Sequence, residues 1–165
     1  MTDFILKELE ESDILDDFSC KHEEIDFFLK NLALTNQKAK ISKTYVLSDK
    51  INHKTIAFIS LSASQLNTGD ARIFSIDKIP VILLGRLGVD SNYQGKDLGV
   101  FLIKIALEKA FEASNIIACR LLVVETSKDM KDYYLKKVNM GFEWFRDKKQ
   151  FSTLYIDLLK YENNR

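Results

Sequence analysis

Six consecutive residues carry the first chemical signal of the chain: Gln94-Gly95-Lys96-Asp97-Leu98-Gly99. They follow an apolar stretch, 81–90 (VILLGRLGVD), and lead into another, 99–113, of helical character. A turn feeding a helix leaves the first helical amides without intrahelical acceptors, and the helix dipole adds partial positive charge there. A phosphate group fits such a place, and Lys96 adds a full charge. The other reading is a plain strand-to-helix turn whose glycines serve geometry alone. Two familiar cradles are excluded, because neither G-x-x-x-x-G-K-[ST] nor G-x-G-x-x-G occurs. Four of the six glycines (Gly85, Gly88, Gly95, Gly99) fall within 15 positions, so backbone freedom is concentrated here.

The remaining chemistry-bearing residues are scattered. Cys20, Cys119, His22 and His53 have no metal-ligand spacing, so no metal site is expected. Two cysteines in 165 residues make no disulfide framework, which points to a reduced, cytoplasmic protein. Cys20 precedes a helix, where thiolates can be activated, but no adjacent partner marks it as a nucleophile. Cys119 reads as core, and both histidines as solvent-exposed. Lys128, Lys131, Lys136, Lys137, Arg146, Lys148 and Lys149 gather late in the chain. They form either a solvated face or a surface for a polyanion. Trp144 and the phenylalanines around it read as core or interface.

The elements that must position these residues follow from periodicity. Residues 4–9 alternate as a strand. Residues 22–36 place Ile25, Phe28, Leu29 and Leu32 on one helical stripe. Residues 44–49 and 55–66 read as a hairpin. Residues 81–90 are a strand opened by Gly85 and Gly88, which signal a bulge or a close backbone approach. A buried helix over 99–113 and a strand over 120–126 complete a parallel, right-handed crossover. Ser127 is placed to cap a helix over 128–138, with Met130, Tyr134 and Val138 on one face. Residues 141–145 and 152–158 close the chain as strands. The order β-α-β-β-β-α-β-α-β-β predicts an α/β (α+β) fold: one domain over 1–165, a mixed, mostly antiparallel sheet, and helices on its faces.

The stretch 84–99 (LGRLGVDSNYQGKDLG) resembles the acetyl-CoA-binding motif of GNAT-superfamily N-acetyltransferases, R/Q-x-x-G-x-G/A. Gln94 and Gly99 match its outer positions, and Asp97 stands where the family has glycine. The chain is most similar to the bacterial GNAT toxins of toxin–antitoxin pairs, which acetylate the amino group of aminoacyl-tRNA. Their "F-x-C-x-x-x-x-L-D-x-F-L" is matched by Phe18, Cys20, Ile25, Asp26, Phe28 and Leu29, with Ile25 for the Leu, and their "LGRLAVD…YQGKGLG" by LGRLGVD…YQGKDLG. The similarity spans 4–158.

The resemblance implies a splayed parallel strand pair and acetyl-CoA as co-substrate. Leu87 and Val89 would hold the pantetheine arm through their backbones, and an N–H near Leu87 or Gly88 would face the thioester oxygen. Gln94, Gly95, Lys96, Asp97, Leu98 and Gly99 would hold the pyrophosphate. Asp97 tolerates φ > 0, and its carboxylate is expected to face solvent. Arg86 would lie by the acceptor. Tyr134, in the pair Tyr133-Tyr134, would be the general acid; the family has four residues from this tyrosine to the next Gly-Phe, and this chain has seven. An antitoxin partner and a homodimer are further implications.

Charge and length bound the alternatives. No run approaches the roughly 18 apolar residues of a membrane span, and the first fifteen residues lack the basic start of a secretory signal. The net charge is zero, which excludes a broad nucleic-acid coat. Residues 1–30 hold 10 acids and 3 bases, while 31–165 hold 14 and 21, so a net of −7 meets a net of +7. A tRNA end held at one face remains open. So do a GNAT enzyme acting on a small or protein amine, and a non-catalytic CoA-binding domain.

Overall fold

The computed structural model describes residues 3–69 and 74–165. Among the described residues seven strands form one sheet: β1 (Phe4–Glu8), β2 (Lys43–Asp49), β3 (Thr55–Asn67), β4 (Lys78–Val89), β5 (Leu121–Ser127), β6 (Glu143–Lys148) and β7 (Phe151–Asp157). Their order is β1-β2-β3-β4-β5-β7-β6. The parallel pair is β4 with β5, from Val81↔Leu121 to Leu84↔Val124. The pairs β1–β2, β2–β3, β5–β7 and β6–β7 are antiparallel. The predicted mixed, mostly antiparallel sheet is therefore the one found.

The chain divides into two compact units. The first comprises Met1–Ser62 and Gly85–Ile103. Its core gathers Leu9, Phe18, Cys20, Phe28, Leu29, Ala33, Val46 and Phe58. Phe58 meets Phe18 edge-on and stacks with Phe28. The predicted helix over 22–36 is three segments: α1 (Glu23–Phe27), a π-helical turn over Phe28–Leu32, and α2 (Ala33–Lys38). Phe28 and Leu29 are buried as the stripe predicts, but Leu32 is 42% exposed. The wider π turn rotates Leu32 away from the α-helical stripe.

The second unit comprises Ala63–Leu84 and Lys104–Arg165. Its core gathers Leu66, Ile79, Val81, Leu121, Val123 and Tyr155. Here too the α-helical expectation is corrected. Residues 128–138 form a 3₁₀ turn (Lys128–Met130) and a π-helical turn (Tyr133–Val138). Ser127 makes no side-chain cap bond. Tyr134 and Val138 are buried, four residues apart, but Met130 is 42% exposed. Cys119 is half-buried rather than core, and Trp144 is 48% exposed, so it is not core either.

The helix α3 (Leu98–Ile116) buries Leu102, Ile103, Ala106, Leu107 and Ala110. That is a stripe, not the all-round burial its first half suggests, and Phe101 is 43% exposed. A short C-terminal helix, α4 (Leu158–Asn163), was not expected. Asp157 caps it, accepting from the Leu159 N–H at 3.0 Å. The same buried carboxylate takes two bonds from Arg120, at 2.8 and 3.0 Å.

Burial pushes the Asp157 carboxyl up, but the bonds from Arg120 and the Leu159 amide more than offset it and leave it below the ordinary value. Its stabilisation is therefore present above the unfolded pKa, near 4, and is lost as pH falls through the lower folded value. Asp157→Ala strands the Arg120 charge and removes a cap. It is expected to cost about 3 kcal/mol, or a Tm loss of about 6–12 °C at pH 7. In thermal melts the difference from the unaltered protein should narrow below pH 4.

Candidate active site

Past its last pair with β5 at Leu84, β4 continues through Gly85-Arg86-Leu87-Gly88-Val89. The two glycines here have different reasons. A Cβ on Gly88 would lie 2.8 Å from Phe58 Cε1, 3.1 Å from Ile25 Cγ2 and 3.3 Å from Phe18 Cζ. Gly88 is thus required by the close packing of β4 on the first unit's core. Gly85 has no such crowding; its Cβ would meet only the Ser60 carbonyl at 3.8 Å. Leu87 and Val89 are half-buried.

The turn after β4 is built by Asp90, which is buried. Its carboxylate accepts from the Asn92 N–H at 2.9 Å and the Ser19 N–H at 3.1 Å. Gln94 is exposed, and its side-chain amide folds back on the backbone, donating to the carbonyls of Val89 at 3.0 Å and Cys20 at 3.4 Å. This leaves Gln94 its backbone, not its amide side chain, for contact with a ligand. Gly95 has φ 79° and open space where a Cβ would be. Lys96 is exposed, its ammonium 5.3 Å from the Tyr93 ring centre. Asp97 has φ 59°, so it takes up the left-handed conformation expected of the glycine it replaces. Its side chain is exposed, and its carbonyl accepts the early α3 bond from Phe101 N–H at 3.0 Å. Leu98 and Gly99 open α3. The 94–99 loop thus presents a helix start, open backbone at Gly95, one exposed lysine and one exposed carboxylate. The first three suit a pyrophosphate.

The N-terminal motif is the partner of this loop. Asp26, in α1, accepts from the Cys20 N–H at 2.9 Å. Ser91 N–H bonds the Ser19 carbonyl at 2.8 Å. The motif's aspartate and cysteine therefore shape one turn rather than a reactive pair. Cys20 is buried, and burial together with the Asp26 carboxylate pushes its thiol up to about 11. Such a thiol is inert at neutral pH. Burial raises the Cys119 thiol as well. His22 and His53 are exposed, as expected. Among the described residues no group of His, Cys, Asp or Glu could hold a metal ion.

Arg86 is exposed, its guanidinium carbon 5.2 Å from the Phe28 ring centre, and it donates to the Gly85 carbonyl at 2.8 Å. Sequence reasoning missed Glu23, Glu24, Phe27 and Leu32, which line a cavity with Phe28 and Arg86. In the second unit Tyr134 is buried, its ring edge-on to Tyr133 and Phe142 at 5.4 and 5.3 Å. Burial, with Tyr133 beside it, holds its phenol well above the ordinary tyrosine value.

A family model described as the acetyltransferase (GNAT) family matches residues 7–142. The chain belongs to the GNAT acetyltransferase family. It is an acyltransferase, and acetyl-CoA is its acyl donor. It is 28% identical over 127 residues to a tRNA-acetylating toxin of Mycobacterium tuberculosis (strain ATCC 25618 / H37Rv), covering 74% of this chain and 75% of that protein. Its fold is similar to that of AtaT complexed with acetyl-methionyl-tRNAfMet, with a TM-score of 0.85 and 20% identity over 98% of this chain and 99% of that one. It is also similar to a tyrosine-to-phenylalanine variant of the AtaT toxin bound to the C-terminus of the antitoxin AtaR and acetyl-CoA. There the TM-score is 0.82, with 21% identity and 98% of each chain covered.

If the 94–99 loop holds the donor's phosphates, as its motif predicts, the Asp97 carboxylate adds a like charge close to them. At an effective dielectric near 20, a like charge in a screened loop costs roughly 1 kcal/mol. Asp97→Gly is expected to tighten acetyl-CoA about threefold to tenfold at low salt, measured by calorimetric titration. The gain should shrink as salt rises. Unchanged or weaker binding at low salt would remove the loop from the phosphates.

Proposed function

We propose that this chain acetylates the α-amino group of charged tRNA and acts as the toxin of a toxin–antitoxin pair inside the cell. The observation that carries the reading is the joint architecture of the first unit. Asp90 and Gln94 tie the turn Ser19–Cys20 to the start of the 94–99 loop, so one network builds the donor loop and the motif typical of the resembling toxins. The curated relative named a tRNA-acetylating toxin supports the acceptor. The net +7 of residues 31–165 suits a tRNA end, and the net −7 of residues 1–30 suits a basic segment of an antitoxin.

The chemistry asks little of the protein beyond position and proton supply. A neutral amine attacks the thioester carbonyl carbon; a C–N bond forms and the C–S bond breaks. The amine's surplus proton goes to water, and the CoA thiolate takes a proton. In this reading Leu87 and Val89 hold the donor arm by backbone pairing, Gly88 N–H faces the carbonyl oxygen, and residues 94–99 hold the pyrophosphate. Arg86 lies by the acceptor. We assign the thiolate's proton to Tyr134. The buried phenol is protonated throughout the neutral range, as a proton donor must be, and burial makes it a weaker acid than a free tyrosine.

The assay is labelled acetyl-CoA with charged tRNA against a panel of small amines. Acetyl should appear on the aminoacyl group; transfer to polyamines or free amino acids alone would refute the tRNA reading. Tyr134→Phe is expected to lower kcat by about 10²–10⁴ with acetyl-CoA affinity kept. The pH profile gives a second readout. kcat/KM should rise as the acceptor amine loses its proton near pH 8, with no falling limb near pH 10, since the Tyr134 phenol is held above its ordinary value. Near-normal turnover of Tyr134→Phe would remove this proton donor and leave the acceptor assignment standing.

A further inference from the structure

In an α-helix each residue turns about 100°, so residues five apart point about 140° away from one another. A π turn, closing i to i+5, draws such residues toward one side. The turn over Phe28–Leu32 does this to Phe27 and Leu32, which are 57% and 42% exposed. Both line a cavity of about 470 Å³, together with Glu23, Glu24, Phe28 and Arg86. Two large apolar side chains on one concave wall are not the scattered surface hydrophobics that need no explanation.

The cavity is tied to the reaction by Arg86. This residue precedes Leu87 on β4, and its guanidinium lies over Phe28. One wall of the cavity thus belongs to the strand that is proposed to carry the thioester arm. Its charged groups are two carboxylates against one guanidinium, so a third carboxylate is unwelcome there and an amine is not. Its apolar surface comes from Phe27, Phe28 and Leu32.

We infer that this cavity receives the side chain of the aminoacyl group and selects large apolar side chains over small or acidic ones. The inference rests on the charged-tRNA reading and adds the acceptor's side-chain class to it. Phe27 and Leu32 clasp the apolar side chain, while Glu23 and Glu24 repel aspartyl and glutamyl groups. Filling an apolar pocket, rather than leaving it empty, discriminates about tenfold to hundredfold.

The test is kcat/KM for the full chain with tRNA charged with phenylalanine, leucine, glycine or aspartate. The phenylalanyl-to-glycyl ratio is expected to be tenfold or more. It should fall at least fivefold in Phe27→Ala and in Leu32→Ala, chiefly through KM. Both side chains are exposed, so Tm should stay within about 2 °C of the unaltered protein. The double variant Glu23→Gln, Glu24→Gln should raise the aspartyl rate relative to the phenylalanyl rate. A phenylalanyl-to-glycyl ratio near one, or one unmoved by both alanine variants, overturns the pocket; that is also the result if a protein segment fills it instead. If no charged tRNA is acetylated, the acceptor reading fails. The cavity is then judged on phenylalaninamide against glycinamide, where a ratio near one refutes it and a large ratio lost in Phe27→Ala sustains side-chain selection on small amines.

Discussion

The proposed donor site depends on a strand that runs on past its last pair with its parallel neighbour. β4 pairs with β5 only as far as Leu84 and then continues five residues to Val89. A backbone N–H or C=O left without a partner is costly away from water. A strand end of this kind is a natural place for an extended ligand arm to pair. The packing at Gly88 keeps it there. Phe58, Ile25 and Phe18 crowd the place where a Cβ would be, so any other residue would push β4 off the core and move the segment proposed to hold the donor.

A second layer of control is a small set of hydrogen bonds with large sequence separation. Asp90 reaches back to Ser19, and Gln94 to Cys20. These bonds join residues more than 70 positions apart into one turn. Each is worth on the order of 1 kcal/mol net, but their geometric effect is larger, because they set where the 94–99 loop begins. The motif's cysteine is part of this turn through its backbone and is chemically quiet, while the motif's aspartate is a hydrogen-bond acceptor for it. Both motif residues serve as scaffolding.

The two π turns mark where periodicity stops being a guide. Ile25, Phe28, Leu29 and Leu32 fit an α-helical stripe, and three of the four obey it. Leu32 does not, since one widened turn separates it from the others. The same applies after β5, where Tyr134 and Val138 are buried as predicted and Met130 is not. The second π turn, with left-handed Asn139 after it, overlaps the seven-residue step from Tyr134 to Gly141. Nothing in side-chain type distinguishes an α turn from a π turn, because the difference is one backbone bond chosen by packing.

By itself the sequence determined the order of the elements, the parallel crossover, the glycine-opened strand and the loop at the start of α3. Those are local: they follow from apolar period, from glycine's missing Cβ and from an aspartate that tolerates positive φ. It did not determine which glycine serves packing, that the Gln94 amide bonds the Cys20 carbonyl, or that Phe27 and Leu32 share a cavity with Arg86. Those depend on groups distant in the chain meeting at fixed distances, and only the tertiary fold brings Phe58 against Gly88 or Cys20 against Gln94. Local backbone preference is written residue by residue, whereas close packing and long-range hydrogen bonds exist only once the whole chain has folded.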